Sequence, residues 1–348
     1  MNNKELIITE SKRIGIDIIG FSPCFIAYDV EETLRDRESK GYLSGFEEKD
    51  MNLRINPKLL MENCQTIISA GISYNIDRDK IEAMSKQKFK ATMSVSSWGR
   101  DYHKVLGSKL EALAEFINKR LYGETKFFVD TNPLLERHIA KNAGIGFVGK
   151  NCSLINKEYG SYIFLGEILT DLYIQPDMPV TGDCGDCELC IKACPSGALL
   201  KPYTIDAKKC ISYLTQNKEI DYENMKNTGL SLYGCDVCQS VCPKNRNIKM
   251  SSHEEFIPKQ WNIYPDAVAI LDMDNKTFEK TYKLTSGGWR GKKNLQKNAI
   301  AVIANSGKRE AWDVLVKYLD DERPDIKKAA VYGLKRLMES MEDKNDFQ

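Results

Sequence analysis

Eight of the chain's eleven cysteines crowd into fifty-nine residues, and no other feature restricts the possible folds as strongly. They are Cys184, Cys187, Cys190, Cys194, Cys210, Cys235, Cys238 and Cys242, while Cys24, Cys64 and Cys152 lie scattered upstream. Such a stretch is held together either by disulfides or by metal. The N-terminus, MNNKELIITESKR, is interrupted by charge and has no apolar secretory core. No window approaches the ~20 apolar residues of a membrane span. The expectation is a cytoplasmic chain with reduced thiols, for which metal ligation is the stronger reading.

The spacing narrows the metal. Cys184-x-x-Cys187-x-x-Cys190-x-x-x-Cys194-Pro195 is the run of bacterial two-cluster ferredoxins, whose fourth cysteine ligates the other cluster. Cys235-x-x-Cys238-x-x-x-Cys242-Pro243 repeats that ending without a first cysteine, and Cys210 can take the missing place. Two quartets result: Cys184, Cys187, Cys190 and Cys242 on one [4Fe–4S] cluster, Cys194, Cys210, Cys235 and Cys238 on the other. Structural zinc would account for Cys-x-x-Cys pairs, but not for a three-cysteine run ending in Cys-Pro and its recurrence. Cys24, Cys64 and Cys152 read as small buried hydrophobes.

At ~150 residues per domain, 348 residues allow two or three domains. Residues 1–175 alternate helical and strand patterns and read as a mixed α/β domain. The spacing predicts a helix over 3–19 capped by Gly20, a buried strand over 65–74 and an amphipathic helix over 103–121. A strand over 126–130 follows, then a helix over 133–144 opened by Pro133, and two strands around a Tyr-Gly turn within 152–171. Residues 176–250 form the ferredoxin-like two-cluster segment. Residues 251–348 read as all-α, with NLQKNAIAVIANSG (294–307) and DIKKAAVYGLKRLM (325–338) about thirty residues apart and a partner helix over 310–321, a HEAT-like pattern.

Two cubanes conduct electrons without naming a reaction, so an electron carrier and a reductase are both open. The size of the preceding α/β domain favours a cofactor or substrate site. Asp130, at a strand end before Thr131-Asn132-Pro133, is either a helix cap or an acid. Gly144, Gly146 and Gly149 follow a helix rather than a strand, which excludes a dinucleotide fingerprint and leaves a loop that lets backbone approach a large ligand.

VDTNPLLERHIAKNAGIGFVGKN, GSYIFLGEILTDL, CGDCELCIKACPSGAL, KKCISYLTQ, YGCDVCQSVCPKN and WRGKKNLQKNAIAVIANS, in that order, resemble the epoxyqueuosine reductase family across nearly the whole chain. The resemblance implies a cobalamin-dependent enzyme with two [4Fe–4S] clusters, akin in chemistry to reductive dehalogenases, that reduces epoxyqueuosine to queuosine at the wobble position of tRNA. It implies that Asp130 protonates the leaving oxygen, with a pKa raised by burial. It further implies that Arg54, Asp130, Lys150, Asn151, Ser153, Gly160, Ser161, Gly234, Cys235 and Asp236 line the cobalamin site.

The net charge of +1 advertises no global attraction to nucleic acid. The stretch 276–297 is locally basic, however, with Lys276, Lys280, Lys283, Arg290, Lys292, Lys293 and Lys297 against Glu279 alone. With a tRNA substrate implied, Lys218, Arg290, Lys292 and Lys293 are the expected contacts to the anticodon stem-loop, with Trp289 available for stacking. The remaining expectations are a monomer fed by an external low-potential donor such as a flavodoxin or ferredoxin.

Overall fold

Thr66–Ser73, a run of β-branched and small residues, forms a strand in which every position is buried. In a computed structural model that describes residues 2–76, 88–219 and 221–345, it lies inside a four-stranded sheet. The strands are β1 (Ile18–Pro23), β2 (Thr66–Ser73), β3 (Thr125–Phe128) and β4 (Ile163–Thr170), in the order β1-β2-β4-β3. All three pairings are antiparallel. The expected mixed sheet is thus corrected: helices alternate with strands, but the chain returns to each neighbour from the opposite end. Helix α1 (Asn3–Ile14) packs on α2 (Tyr102–Arg120), which covers one face of the sheet, and α3 (Glu136–Asn142) covers the other.

Two predicted helices are shorter than their patterns. The first stops at Ile14, where Gly15 takes the left-handed cap conformation (φ 84°), and residues 18–23 become β1. Gly20 serves close packing instead of capping, since a Cβ there would lie 2.0 Å from the Ala143 carbonyl oxygen. The second begins at Glu136, three residues beyond Pro133, because residues 130–132 are held in tight turns by Thr131 N–H donating to the Val129 carbonyl (2.6 Å) and Asn132 N–H to that of Asp130 (2.7 Å).

The C-terminal helices are α4 (Lys292–Asn305), α5 (Ala311–Leu315) and α6 (Pro324–Asn345), and α4 packs against both others. The core is continuous across the molecule, joining Ile7, Leu106, Ile168, Ile300 and Leu334. Helix α4 is buried on every side from Asn294 to Ala304. Three of its asparagines donate to carbonyls of the cysteine-rich segment. Asn294 and Asn298 donate to Thr215 (2.8 and 2.7 Å), Asn298 also to Leu232 (2.9 Å), and Asn305 to Met225 (2.9 Å) and Gly229 (3.1 Å). Replacing Asn298 by Leu strands buried carbonyls and should cost about 1–3 kcal/mol. Anaerobic thermal unfolding should show the lowered midpoint; an unchanged midpoint would remove the clasp from the account.

Candidate active site

Strand β3 ends two residues before Asp130, which sits in the left-handed region at φ 53°. Only Gly adopts that region freely, so the turn must be held by its surroundings. Asp130 N–H donates to Glu136 Oε1 (2.7 Å), and Asn132 Oδ1 accepts from Leu134 N–H (2.7 Å). Asp130 therefore caps no helix, and its carboxylate is free for other partners. His103 Nε2 lies 3.2 Å from Asp130 Oδ2, and His103 Nδ1 lies 2.7 Å from Asp101 Oδ1. Asp101 also caps α2 by accepting from His103 N–H (3.1 Å). Tyr102 stacks between the His103 and Phe164 rings, both at 4.1 Å, and its hydroxyl reaches Asp130.

This arrangement reverses the expected proton placement. The hydrogen bond from His103 holds the Asp130 carboxyl below its ordinary range and outweighs burial, which acts the other way. Burial alone would lower His103; the bonds to Asp101 and Asp130 overcome it and raise the imidazole to about 9. The transferable proton therefore rests on His103 beside an ionised Asp130 at neutral pH.

The eight clustered cysteines carry no disulfide and fall into two neighbourhoods. Burial raises the Cys190 and Cys242 thiols, and Cys184 acts on both, with Cys187 also close to Cys242. Burial likewise raises Cys210, Cys235 and Cys238, where Cys194 acts on Cys210 and Cys235, and Cys210 on Cys235 and Cys238. Cys190 also acts on Cys238, so the two groups adjoin. Backbone N–H groups of Ile191, Ser212, Val237 and Lys244 point at these sulfurs, the setting that tunes iron–sulfur clusters.

Tyr233 lies between the second group and the acid–base pair in electrostatic influence only. It stands two residues before Cys235, and the charges of Asp130 and Asp101 reinforce the upward shift that burial gives it. The loop carrying Lys150 and Asn151 joins the first group: Lys150 N–H donates to Cys184 Sγ (3.5 Å) and Lys150 Nζ to the Gly185 carbonyl (2.6 Å). Arg137, whose charge acts on Asp130, donates to the Cys152 carbonyl in the same loop (2.6 Å).

The residues expected around cobalamin divide. Asn151 Nδ2 is buried without a hydrogen-bond partner, a donor suited to an amide-rimmed macrocycle, and Ser153 N–H orients that side chain through Asn151 Oδ1 (3.2 Å). Arg54 is buried with Glu47, Glu38 and Glu48 around it. Other positions serve packing. A Cβ on Gly160 would lie 2.1 Å from Asn245 Oδ1 and one on Gly234 2.5 Å from Ser94 Cβ. Ser161 Oγ donates to Gln239 Oε1 (2.8 Å), and both Asp236 oxygens accept, from Ser94 Oγ (2.6 Å) and Val95 N–H (2.8 Å). The loop glycines follow suit, since a Cβ on Gly146 would strike the Ile155 carbonyl oxygen at 2.4 Å and one on Gly144 that of Met178 at 2.8 Å. Their close approach is to protein.

The basic stretch divides too. Lys293 pairs with Asp325, Lys283 with Glu279 (2.7 Å), and buried Lys297 donates to the Asn217 carbonyl. Lys218 is exposed. Arg290 lies over Phe46 (4.4 Å) and Trp289 (4.0 Å), two half-exposed rings that meet edge to face.

The family model described as epoxyqueuosine reductase QueG, DUF1730, matches residues 54–131, and a 4Fe-4S double cluster binding domain matches residues 183–245. The epoxyqueuosine reductase of Bacillus anthracis is 38% identical over 96% of this chain and 89% of its own. The chain belongs to the epoxyqueuosine reductase family. Two solved structures of epoxyqueuosine reductase extend the comparison. One, with a tRNA-Tyr epoxyqueuosine-modified stem loop, has a TM-score of 0.91 at 37% identity, covering 98% of this chain and 92% of the other. The second, from Bacillus subtilis, has its aspartate catalytic loop swung out of the active site; its TM-score is 0.90 at 36% identity over 98% and 93% of the two chains.

As a member of this oxidoreductase family the chain carries partners that the motif search missed. Glu136 and Glu167 lie behind Asp130, and Phe46 and Tyr213 complete the aromatic patch at Trp289. Only Glu167 left a trace in the sequence, a lone carboxyl inside an otherwise apolar strand. His103 gives a direct pH test. Its folded pKa lies above the unfolded 6.5, so its contribution to stability is complete below pH 6.5 and disappears as pH rises to about 9. The stability difference between wild type and His103→Gln should shrink across that window in thermal scans; a constant difference would contradict the ion pair.

Proposed function

We propose that this protein reduces epoxyqueuosine to queuosine in tRNA, using two [4Fe–4S] clusters and cobalamin. The observation that carries the reading is that a matched 4Fe-4S double cluster segment and the Asp130–His103 pair belong to one chain with one continuous core. Removing the epoxide oxygen as water requires two electrons and two protons; the clusters would supply the electrons, the Asp130–His103 pair one proton and solvent the other. The family relationship supports the substrate, and the stem loop held by a solved relative supports tRNA as its carrier.

Cys184, Cys187, Cys190 and Cys242 would ligate one cluster, and Cys194, Cys210, Cys235 and Cys238 the other, in line with the two thiol neighbourhoods. Asn151, Ser153, Lys150 and Arg54 would hold cobalamin, while Gly160, Ser161, Gly234 and Asp236 shape the wall behind them. Cobalamin, when bound, would supply a strongly reducing metal centre. His103 keeps the proton, Asp130 relays it to the leaving oxygen, and Asp101 fixes the imidazole for that transfer. The aspartate on the catalytic loop of the Bacillus subtilis relative supports this role for Asp130.

Arg290, Lys292 and Lys218 would grip phosphates, and the Phe46–Trp289 patch offers unpaired bases a stacking surface. Lys293 contributes less because Asp325 already neutralises it. The paired helices α4–α6 would carry this surface as a HEAT-like unit. No helix among the described residues is long and apolar enough to cross a membrane; a cytoplasmic monomer served by a flavodoxin or ferredoxin fits the scheme.

Asp130→Asn should cut turnover by roughly 10²–10⁴ while iron content and cobalamin retention on gel filtration persist. Full activity in that variant would remove Asp130 from the mechanism. Arg290→Ala with Lys292→Ala should weaken tRNA binding and flatten its salt dependence, whereas Lys293→Ala should do neither. Equal effects of all three would contradict the charge assignment.

A further inference from the structure

Two carboxyl groups behind Asp130 take no part in the scheme above. Glu136 opens α3, and its Oε1 receives both the Asp130 N–H (2.7 Å) and Asn132 Nδ2 (3.4 Å). Glu167 stands in the middle of β4, opposite Ser69 on β2 and Phe128 on β3. Its neighbours on the same face, Leu165 and Leu169, pack with Ala140 and Ile139 of α3. The Glu167 side chain therefore enters the layer beneath α3, toward Glu136. It is fully buried; Oε1 meets only the Ser69 hydroxyl, at 3.5 Å, and Oε2 has no hydrogen-bond partner. The inward positions around it are apolar apart from Ser69, so packing alone gives no reason for an acid here.

We propose that Glu136 and Glu167 form a positioning latch for Asp130, Glu136 gripping the backbone of the Asp130 turn and Glu167 backing that grip from within the sheet. The latch meets a physical need. A non-glycine residue at φ 53° gains from outside support, and the bond to Glu136 is the one that fixes the backbone nitrogen of Asp130.

The groups facing the pair are few. Asp130, Arg137 and Tyr102 act on or are acted on by Glu136, and Glu136 is the ionisable group acting on Glu167. Burial, then the Asp130 charge, raises Glu136 to about 7. Burial, then the Glu136 charge, drives Glu167 far above the carboxylate range. Glu167 is accordingly the neutral acid of the pair, and Glu136 carries the charge that strengthens its bond to Asp130. Two ionised carboxylates in this dry layer would repel and open the turn.

The functional meaning rests on Asp130 being the catalytic acid, but the latch can be read without turnover. Infrared spectra of the cluster-loaded protein at pH 8 should show a protonated-carboxyl band that vanishes in Glu167→Gln. Glu136→Ala should release Asp130 from His103, so that the imidazole's proton affinity, followed by histidine NMR with the clusters oxidised, falls about tenfold. Glu136→Gln, which keeps an acceptor oxygen, should leave His103 near its original value. Absence of the acid band in the wild type, its survival in Glu167→Gln, or an unmoved His103 in Glu136→Ala would each overturn the latch. Wild-type turnover of epoxyqueuosine-containing tRNA reports on the reaction separately, and its failure would leave the latch standing.

Discussion

Helix α4 supplies hydrogen-bond donors to a segment that has almost no regular structure of its own. Among the described residues between Cys210 and Cys242 the chain forms only helices of four to six residues and one three-residue strand. Short pieces like these leave carbonyls unpaired, and buried carbonyls must find donors. Asn294, Asn298 and Asn305 answer that demand from a single rigid helix. This explains a helix buried all round yet rich in amides. It also fixes where Leu232 lies, three residues before Cys235.

The acid–base side depends on the opposite sheet end. Asp101 caps α2 and orients His103, so the same carboxylate that starts the helix decides which imidazole nitrogen faces Asp130. Tyr102, held between His103 and Phe164, keeps water from one side of the pair. A carboxylate on each side of a half-buried imidazole holds a proton at neutral pH that neither carboxylate would hold alone. The acid–base pair and the cysteine-rich segment are thus built by separate parts of the chain.

Much of this was legible in the sequence. The double-cluster segment followed from the Cys-Pro endings, because such spacing is local. Strand β2 and helix α2 followed from periodicity, since both bury a face that the pattern marks. Strand β1 was hidden because Ile14 and Ile18 continue a helical spacing that only the left-handed Gly15 interrupts. The proton's residence on His103 was hidden for a different reason: it depends on Asp101 and Asp130 converging from positions 29 residues apart in the chain. Likewise, the basic run looked uniform until folding buried Lys297 and placed Asp325 against Lys293. Contacts between distant segments decide pKa values and charge pairing, and spacing along the chain does not encode them.

The central claim is that electrons from the clusters and a proton from the Asp130–His103 pair jointly remove one oxygen from a modified base. Nucleoside mass spectrometry of tRNA carrying epoxyqueuosine, incubated anaerobically with the cluster-loaded protein, reductant and cobalamin, tests it directly. The account predicts conversion to a nucleoside lighter by one oxygen atom, and none when either reductant or cobalamin is omitted. Unconverted epoxyqueuosine in the complete mixture, with clusters full and cobalamin retained, would contradict it.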